Sequence, residues 1–177
     1  MSYQNLSFSL EIRRYRRHAA WLCGWLLFGA ALADAADWNS QQIDWQEYDA
    51  GMVQAQTTGK PVMLVFHSEG CGACNQYSEL FVKPEVVTAS ADLVMILVDD
   101  GNEELSSRYA FDGSYVPRTF FLTPEGEHLD IQLGKSDPTF RYYYGSRKSQ
   151  GLVSAMQESV ATVTATAVAG DKPTDKE

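Results

Sequence analysis

Apolar and polar positions alternate along the chain in blocks that predict an α/β domain. Two continuous apolar runs, residues 62–66 and 93–98, are typical of fully buried β-strands. Apolar residues recur at helical spacing in three segments: residues 45–57, the stretch from residue 71 to Pro84, and residues 146–163. Pro84 is expected to break or kink the second helix. A strand, a helix and another buried strand make a βαβ unit, whose crossover is nearly always right-handed.

The region between the second buried run and the last helix predicts shorter elements. We expect a short helix at residues 103–109 and a strand within residues 115–122, which has Pro117 near its start. Residues 128–133 can pair back on this strand through a tight turn that contains Pro124. The small and polar residues 164–177 are typical of a disordered tail.

The N-terminus has the pattern of a signal peptide. A basic stretch at residues 13–18 precedes a 14-residue apolar run at 19–32, too short to span a bilayer. Small residues follow, so we predict a signal peptide over residues 1–35 that is cleaved near 33–35, with no stable membrane anchor afterwards. The alternative is an uncleaved signal anchor. The folded domain is then expected at residues 36–163.

Composition limits the functions that the chain can have. The 177 residues are 45% apolar, which suits one hydrophobic core, and the protein is expected to be a monomer. A formal net charge of −9 disfavours nucleic acid as a partner, because phosphates would be repelled.

The strongest candidate for chemistry is a pair of cysteines, Cys71 and Cys74, directly after the first buried strand. Two intervening residues let one helical turn carry both sulfurs, close enough for a reversible disulfide. The free amides of a helix N-terminus would stabilise a thiolate at Cys71. Cys71 is therefore the predicted nucleophile, and Cys74, one turn further into the helix, would resolve the mixed disulfide.

The same motif permits other readings. Two cysteines at this spacing form half of a four-ligand zinc site, but no second pair or paired histidines accompany them, so we expect no metal. A permanent structural disulfide is another alternative. A copper(I) metallochaperone and a non-catalytic binding or chaperone module also remain, although a resolving thiol has no use in the binding module.

Several ordered motifs together resemble a known family. Residues 40–163 look like a thioredoxin-like domain in three places: Lys60-Pro61 before a buried strand, Cys71-Gly72-Ala73-Cys74, and Val116-Pro117 ahead of a strand. The chain is more narrowly similar to the small single-domain thioredoxin-like proteins of the endoplasmic reticulum related to the anterior-gradient group. That similarity rests on His67, the Cys-Gly-Ala-Cys motif, residues 113–118 and the tyrosines at 142–144.

The resemblance implies a fold, a loop and an activity. The fold is a central mixed β-sheet flanked by helices. Pro117 would follow a cis peptide bond beside the cysteines, and the backbone of Val116 would pair with an extended substrate segment. The implied activity is thiol–disulfide exchange with protein substrates that carry thiols or disulfides.

Two positions depart from the family pattern and leave open which groups set the pKa values of the cysteines. Gly70 stands where many relatives have tryptophan, and Val65 replaces the buried acid of thioredoxin. His67 and Glu69 are the nearest titratable residues, and a protonated His67 would favour a thiolate while Glu69 would disfavour it. We expect His67 to be a hydrogen-bonded residue at the strand end.

Two further features downstream have both a structural and a functional interpretation. Arg118 could support the thiolate, but a solvated arginine just past the proline is the favoured interpretation. Phe140 and the tyrosines at 142–144 are expected to pack rather than to line a partner surface.

These observations predict an exported enzyme whose only redox group is the Cys71–Cys74 pair, with no separate cofactor. An oxidase or isomerase is favoured over a reductase, because the compartments outside the cytosol are oxidising. The periplasm or secretion fits the sequence, as does the endoplasmic reticulum lumen in a eukaryote, although residues 174–177 are not a retrieval signal. A redox partner is required and is not identified by the sequence.

Overall fold

The structure is a computed structural model that describes residues 38–133, 139–145 and 148–170. The predicted signal peptide and the last part of the predicted tail lie outside the described residues. Within the described ranges, no helix combines the length and the apolar character that crossing a bilayer requires.

Five strands and five helices follow one another along the described chain. They are β1 (Trp45–Gln46), α1 (Tyr48–Thr58), β2 (Val62–His67), α2 (Gly72–Ser78), α3 (Pro84–Ser90), β3 (Val94–Asp99), α4 (Glu103–Arg108), β4 (Arg118–Leu122), β5 (His128–Leu129) and α5 (Ser149–Gly170). The two apolar runs that were predicted as buried strands form β2 and β3.

The strands form one mixed sheet in the order β1-β3-β2-β4-β5. Strands β1 and β2 both pair parallel with β3, and Val62 of β2 lies opposite Val94. Strand β4 runs antiparallel to β2, with Phe66 opposite Arg118, and β5 returns antiparallel beside β4. The predicted central mixed sheet flanked by helices is therefore confirmed.

Alternating side chains of the sheet divide the core into two layers. Met63, Val65 and Phe121 pack on one face with residues of α2, α3 and α5. Leu64 and Phe66 pack on the other face with residues of α1 and α4. Because successive residues of a strand point to opposite faces, β2 and β4 contribute to both layers. We call the first layer the cysteine face, since Cys74 belongs to it, and the second the opposite face.

The structure moves three predicted helix boundaries. Trp45 and Gln46 pair with β3 as a short strand, so the first helix begins at Tyr48. The helix after the cysteines already ends at Ser78, and Pro84 begins α3 instead of breaking a helix. Proline suits the first turn of a helix, where no intrahelical partner for its missing N–H is needed. Helix α5 continues to Gly170, so residues 164–170, predicted to be disordered, are helical.

Helix α1 lies unusually close to the sheet at Gly51. A Cβ atom added there would lie 2.5 Å from Cγ1 of Ile96 in β3, well inside van der Waals contact. Glycine lowers helix propensity, but here it permits α1 to lie against β3.

We expect Gly51→Ala to destabilise the protein by about 1–3 kcal/mol in spite of alanine's better helix propensity, because the added methyl group overpacks the contact with Ile96. Urea unfolding measures this change. Gln54→Ala, at an exposed position of the same helix, is the control and should shift stability by less than about 0.5 kcal/mol. A Gly51→Ala variant as stable as the wild type would contradict the close contact.

The ring of His128 lies in an aromatic cluster on the opposite face. Its centroid is 5.0 Å from that of Phe111 and 5.4 Å from that of Tyr142. Burial lowers the pKa of His128 below 6.5; the charge of Asp130 opposes this shift, and Arg141 adds to it. The unfolded chain then binds a proton at His128 more readily than the folded protein does. The contribution of the neutral ring to the free energy of unfolding is therefore fully present above the unfolded pKa of 6.5, and it is lost as the pH drops from 6.5 toward the lowered pKa.

We therefore expect His128→Gln to lose less stability than the wild type when the pH falls from about 7.5 to about 5. Urea unfolding at both pH values gives the comparison. His67→Gln, which removes the other histidine with a lowered pKa, shows whether the effect is specific to the aromatic cluster. Parallel pH profiles for the wild type and His128→Gln would disprove the assignment.

Candidate active site

The two cysteines lie at the start of α2 and are joined by a disulfide. Cys71 is the N-cap residue of this helix, and its Sγ accepts a hydrogen bond from the backbone N–H of Cys74 at 3.1 Å. Cys71 is half-buried, whereas Cys74 is fully buried. Gly70 approaches the helix with a φ of 73°, which glycine adopts without strain, so the chain can turn sharply between β2 and the cysteine pair.

The loop before β4 lies directly against Cys71. The Val116–Pro117 peptide bond is cis, and the carbonyl oxygen of Val116 is 3.9 Å from Sγ of Cys71. Pro117 is buried and Val116 is half-buried. The structure thus brings together the predicted nucleophile and the predicted substrate-pairing backbone, although they are separated by 45 residues in the sequence.

His67 and Glu69 lie on the segment that leads into Cys71. The ring of His67 packs against Trp38, with centroids 5.4 Å apart. Burial lowers the pKa of His67, and Asp99 opposes the shift. The imidazole is therefore neutral at neutral pH and does not favour a thiolate by charge. Glu69 is exposed to solvent.

Arg118 differs from its predicted environment. It was expected to be solvated, but its side chain is fully buried. Its guanidinium lies over the ring of Phe66 at 4.8 Å and donates to Asp100 at 2.5 Å. Phe66 belongs to the opposite face, so Arg118 points away from the cysteine face. The position of Arg118 on the strand, directly after Pro117, fixes this direction through the alternation of side chains.

Sequence reasoning missed a buried hydroxyl pair on the cysteine face. Tyr77 lies one turn after Cys74 in α2, and its hydroxyl is 3.0 Å from Oγ1 of Thr119 in β4. Both residues are almost fully buried, and burial raises the pKa of Tyr77. The helical spacing from Cys74 to Tyr77 could have indicated a shared face. Nothing local in the sequence predicts the contact with Thr119.

Trp38 was also missed, because it lies far from the motif in the sequence. It is 4% exposed and packs edge-on against Trp45 and Tyr77, with ring centroids 6.0 Å apart in both pairs. The packing expected of the aromatic segment holds for Tyr142, which is 3% exposed, but Phe140 is 42% exposed and packs edge-to-face against Tyr115.

The arrangement supplies an accessible sulfur, a buried second sulfur and an adjacent strand-like backbone. Among the residues that the structure describes, no three His, Cys, Asp or Glu side chains are grouped to hold a metal ion. The accessible sulfur, the buried sulfur and the adjacent backbone together form a geometry that supports sulfur exchange at Cys71.

Comparison with known proteins agrees with this geometry. Residues 44–124 match a family model described as thioredoxin-like. The chain is 32% identical over 83 residues to anterior gradient protein 3 of Mus musculus, covering 46% of this chain and 50% of that protein. It is 31% identical to anterior gradient protein 3 of Homo sapiens over 83 residues, which are 46% of this chain and again 50% of the relative. The chain thus spans about half the length of the curated relatives it matches.

A solved structure shows the same fold. The solution structure of a thioredoxin from Thermus thermophilus superposes with a TM-score of 0.56 at 23% identity, covering 75% of this chain and 98% of that one. This similarity supports the fold on which the cysteines are placed.

The hydroxyl pair makes a specific stability prediction. Tyr77→Phe leaves the Thr119 hydroxyl buried without its partner, and we expect a loss of about 1–2 kcal/mol, with a similar loss for Thr119→Val. Because both variants remove the same hydrogen bond, the double variant should lose about 1 kcal/mol less than the sum. Unfolding of the disulfide-bonded protein in urea measures all three.

Thr88→Val, at an exposed position of α3, is the matched control and should change stability by less than about 0.5 kcal/mol. Strictly additive losses in the double variant would show that the two hydroxyls do not interact.

Proposed function

We propose that this protein is a thiol–disulfide oxidoreductase that exchanges disulfides with protein substrates, and the match of residues 44–124 to the thioredoxin-like family model supports this proposal. The observation that carries the proposal is the contact between Cys71 and the Val116 carbonyl, with Cys74 buried behind it. An accessible sulfur beside a backbone that can pair with an extended chain is suited to attack a substrate disulfide when Cys71 is reduced. When Cys71 is part of the Cys71–Cys74 disulfide, the same sulfur can be attacked by a substrate thiolate. The cysteine pair itself carries the electrons.

The exchange proceeds in two steps, each an attack by a thiolate on a disulfide. In the reduced protein, the Cys71 thiolate attacks one sulfur of a substrate disulfide; the substrate S–S bond breaks, a mixed disulfide forms and one substrate thiolate leaves. The Cys74 thiolate then attacks Sγ of Cys71 and releases the second substrate thiolate. Two electrons pass from the protein to the substrate, and the Cys71–Cys74 disulfide forms. Oxidation of a substrate dithiol follows the same steps in reverse.

The local structure supports Cys71 as the first nucleophile. The backbone N–H of Cys74 points at the Cys71 sulfur, so it stabilises the thiolate form of Cys71 more than the neutral thiol form. Cys74 is fully buried, so a substrate sulfur has access to Cys71 first. The order of attack is set by burial as well as by the helix N-terminus.

The backbone next to Pro117 is suited to substrate binding. Val116 precedes β4, so an extended peptide can add to this segment by main-chain hydrogen bonds. Such pairing depends on an extended shape more than on side chains, and it would place a substrate cysteine near Sγ of Cys71. The partners we propose are therefore extended, incompletely folded chains that carry thiols or disulfides, together with a redox protein that resets the cysteine pair.

We further propose that the enzyme is exported and works as an oxidase or isomerase. The support is the signal-peptide pattern of residues 1–35, which would deliver the cysteines to an oxidising compartment. In such a compartment newly exported chains need their disulfides formed or rearranged.

Trapping the mixed disulfide tests the activity. We expect Cys74→Ser to accumulate covalent adducts through Cys71, because the resolving thiol is missing, and Cys71→Ser to accumulate few, because Cys74 is buried. Non-reducing electrophoresis after mixing with an unfolded, disulfide-bonded protein detects the adducts. The double serine variant is the control for non-covalent association.

Equilibration of the wild type with glutathione gives the direction of electron flow. We expect the pair to equilibrate with the glutathione couple, in the range of protein disulfide isomerases and oxidases and above about −230 mV. A pair that stays closed under strongly reducing conditions and forms no adducts would identify a structural disulfide, and the binding module would then be the better interpretation.

A further inference from the structure

The most elaborate polar cluster of the described chain lies behind the active site and is not used by the exchange steps. It is centred on Arg118, which is fully buried. Nη2 of Arg118 donates to Oδ1 of Asp100 at 2.5 Å and to Oγ of Ser106 at 2.7 Å. The Ser106 hydroxyl in turn donates to Oδ1 of Asp100 at 2.7 Å, which closes a three-membered cluster. Burying a charge is unfavourable unless it is paired and hydrogen-bonded, and this cluster meets both conditions.

The other arm of Arg118 reaches the loop that carries Val116. Nη1 donates to the carbonyl oxygen of Gly113 at 2.9 Å. Gly113 has a φ of 136°, a conformation that other residues rarely adopt, and this backbone geometry presents its carbonyl to the guanidinium. Three residues further along the chain, Val116 contacts Cys71. A fixed Gly113 therefore restricts where the backbone of Val116 can lie.

The cluster is also connected to the segment that leads into the cysteines. The backbone N–H of Asp100 donates to the carbonyl oxygen of His67 at 2.7 Å, at the end of β2. His67 lies four residues before Cys71. Asp100 and Arg118 thus form a polar bridge from the end of β2 to the loop before β4. These are the two segments that meet at the active site.

From these contacts we infer that Arg118 is a positioning residue, which holds the backbone of Val116 in place beside Cys71 from the opposite face of the sheet. It acts through Gly113, with Asp100 and Ser106 as its anchors. Arg118 lies over Phe66, on the face of the sheet away from Cys74, so its effect is on substrate alignment and not on the charge of the thiolate.

A second set of contacts, which does not involve Arg118, also holds the same loop in place. The Tyr115 hydroxyl donates to Oδ2 of Asp112 at 2.8 Å, and the backbone N–H of Arg141 donates to the same oxygen at 2.7 Å. Removing Arg118 should therefore loosen the start of the loop, near Gly113, without detaching Tyr115. The expected change is a local gain of motion in a folded protein.

Arg118→Met is the primary test, because methionine replaces the apolar stem of the side chain and removes the hydrogen bonds. The first readout is amide hydrogen exchange of residues 113–116, which we expect to accelerate about tenfold or more, while the amides of β2 and β3 stay protected. This readout does not depend on enzymatic activity. Arg108→Met, which removes an exposed arginine of α4 that forms an ion pair with Glu104 and lies over the ring of Tyr48, is the matched control and should leave the loop unchanged.

The second readout, which rests on the proposed function, is turnover of a synthetic peptide disulfide compared with that of dithiobis(nitrobenzoate), a small disulfide with no peptide backbone. We expect the KM for the peptide to rise about tenfold with kcat little changed, and the rate with the small disulfide to stay the same. The pH dependence of Cys71 alkylation should be unaltered. Arg118→Lys, which keeps the charge but can reach fewer acceptors, should have a KM for the peptide between those of the wild type and Arg118→Met.

Each result decides between the alternatives. Unchanged amide exchange at residues 113–116, or a shifted pH profile of Cys71 alkylation, would overturn the positioning role; the second would assign Arg118 to the thiolate instead. If the wild type does not turn over the peptide at all, the proposed function fails, and the amide exchange alone then decides the role of Arg118. If Arg118→Met does not fold, Ser106→Ala removes one anchor and is measured in the same two ways.

Discussion

The antiparallel pairing of β2 with β4 is the constraint on which the active site depends. Phe66 lies opposite Arg118, so the last residues of β2 and the first residues of β4 lie at the same end of the sheet. The chain leaves β2 toward Cys71 at this end, and it enters β4 from Val116 and Pro117 at the same end. A change of register by one residue would reverse which side chains of β4 face the cysteines. The separation of Cys71 and Val116 is therefore a property of the sheet as much as of either loop.

The same pairing sorts the polar residues of β4 onto different faces. Arg118 points to the opposite face and finds its acceptors in Asp100, Ser106 and Gly113. Thr119, the next residue, points to the cysteine face and pairs with Tyr77. Both side chains thus have hydrogen-bond partners outside β4, which is the arrangement in which burial of polar groups is tolerated inside a protein. The charged guanidinium of Arg118 lies on the opposite face of the sheet, and the neutral hydroxyls of Thr119 and Tyr77 lie on the cysteine face.

Local patterns predicted most of the fold and the position of the cysteine pair at the start of a helix, since those depend on neighbours in the sequence. The apolar runs of β2 and β3, and the helix that begins at the cysteines, follow from side-chain period and from capping. The environment of Arg118 could not be predicted in the same way, because it depends on acceptors from residues 100, 106 and 113. The end of α5 was misjudged because small and polar residues permit disorder or helix equally, and the choice depends on the rest of the helix.

The groups around Cys71 also show what could stabilise a negative charge on its sulfur in the reduced protein. Val65, on the strand before the cysteines, is apolar, and burial lowers the pKa of the His67 imidazole, which packs on Trp38. Glu69 is exposed, where solvent screens its charge. The backbone N–H of Cys74 donates to the Cys71 sulfur at 3.1 Å. A backbone amide is neutral and does not titrate, so its stabilisation of a thiolate at Cys71 would persist across the pH range in which the histidines change charge.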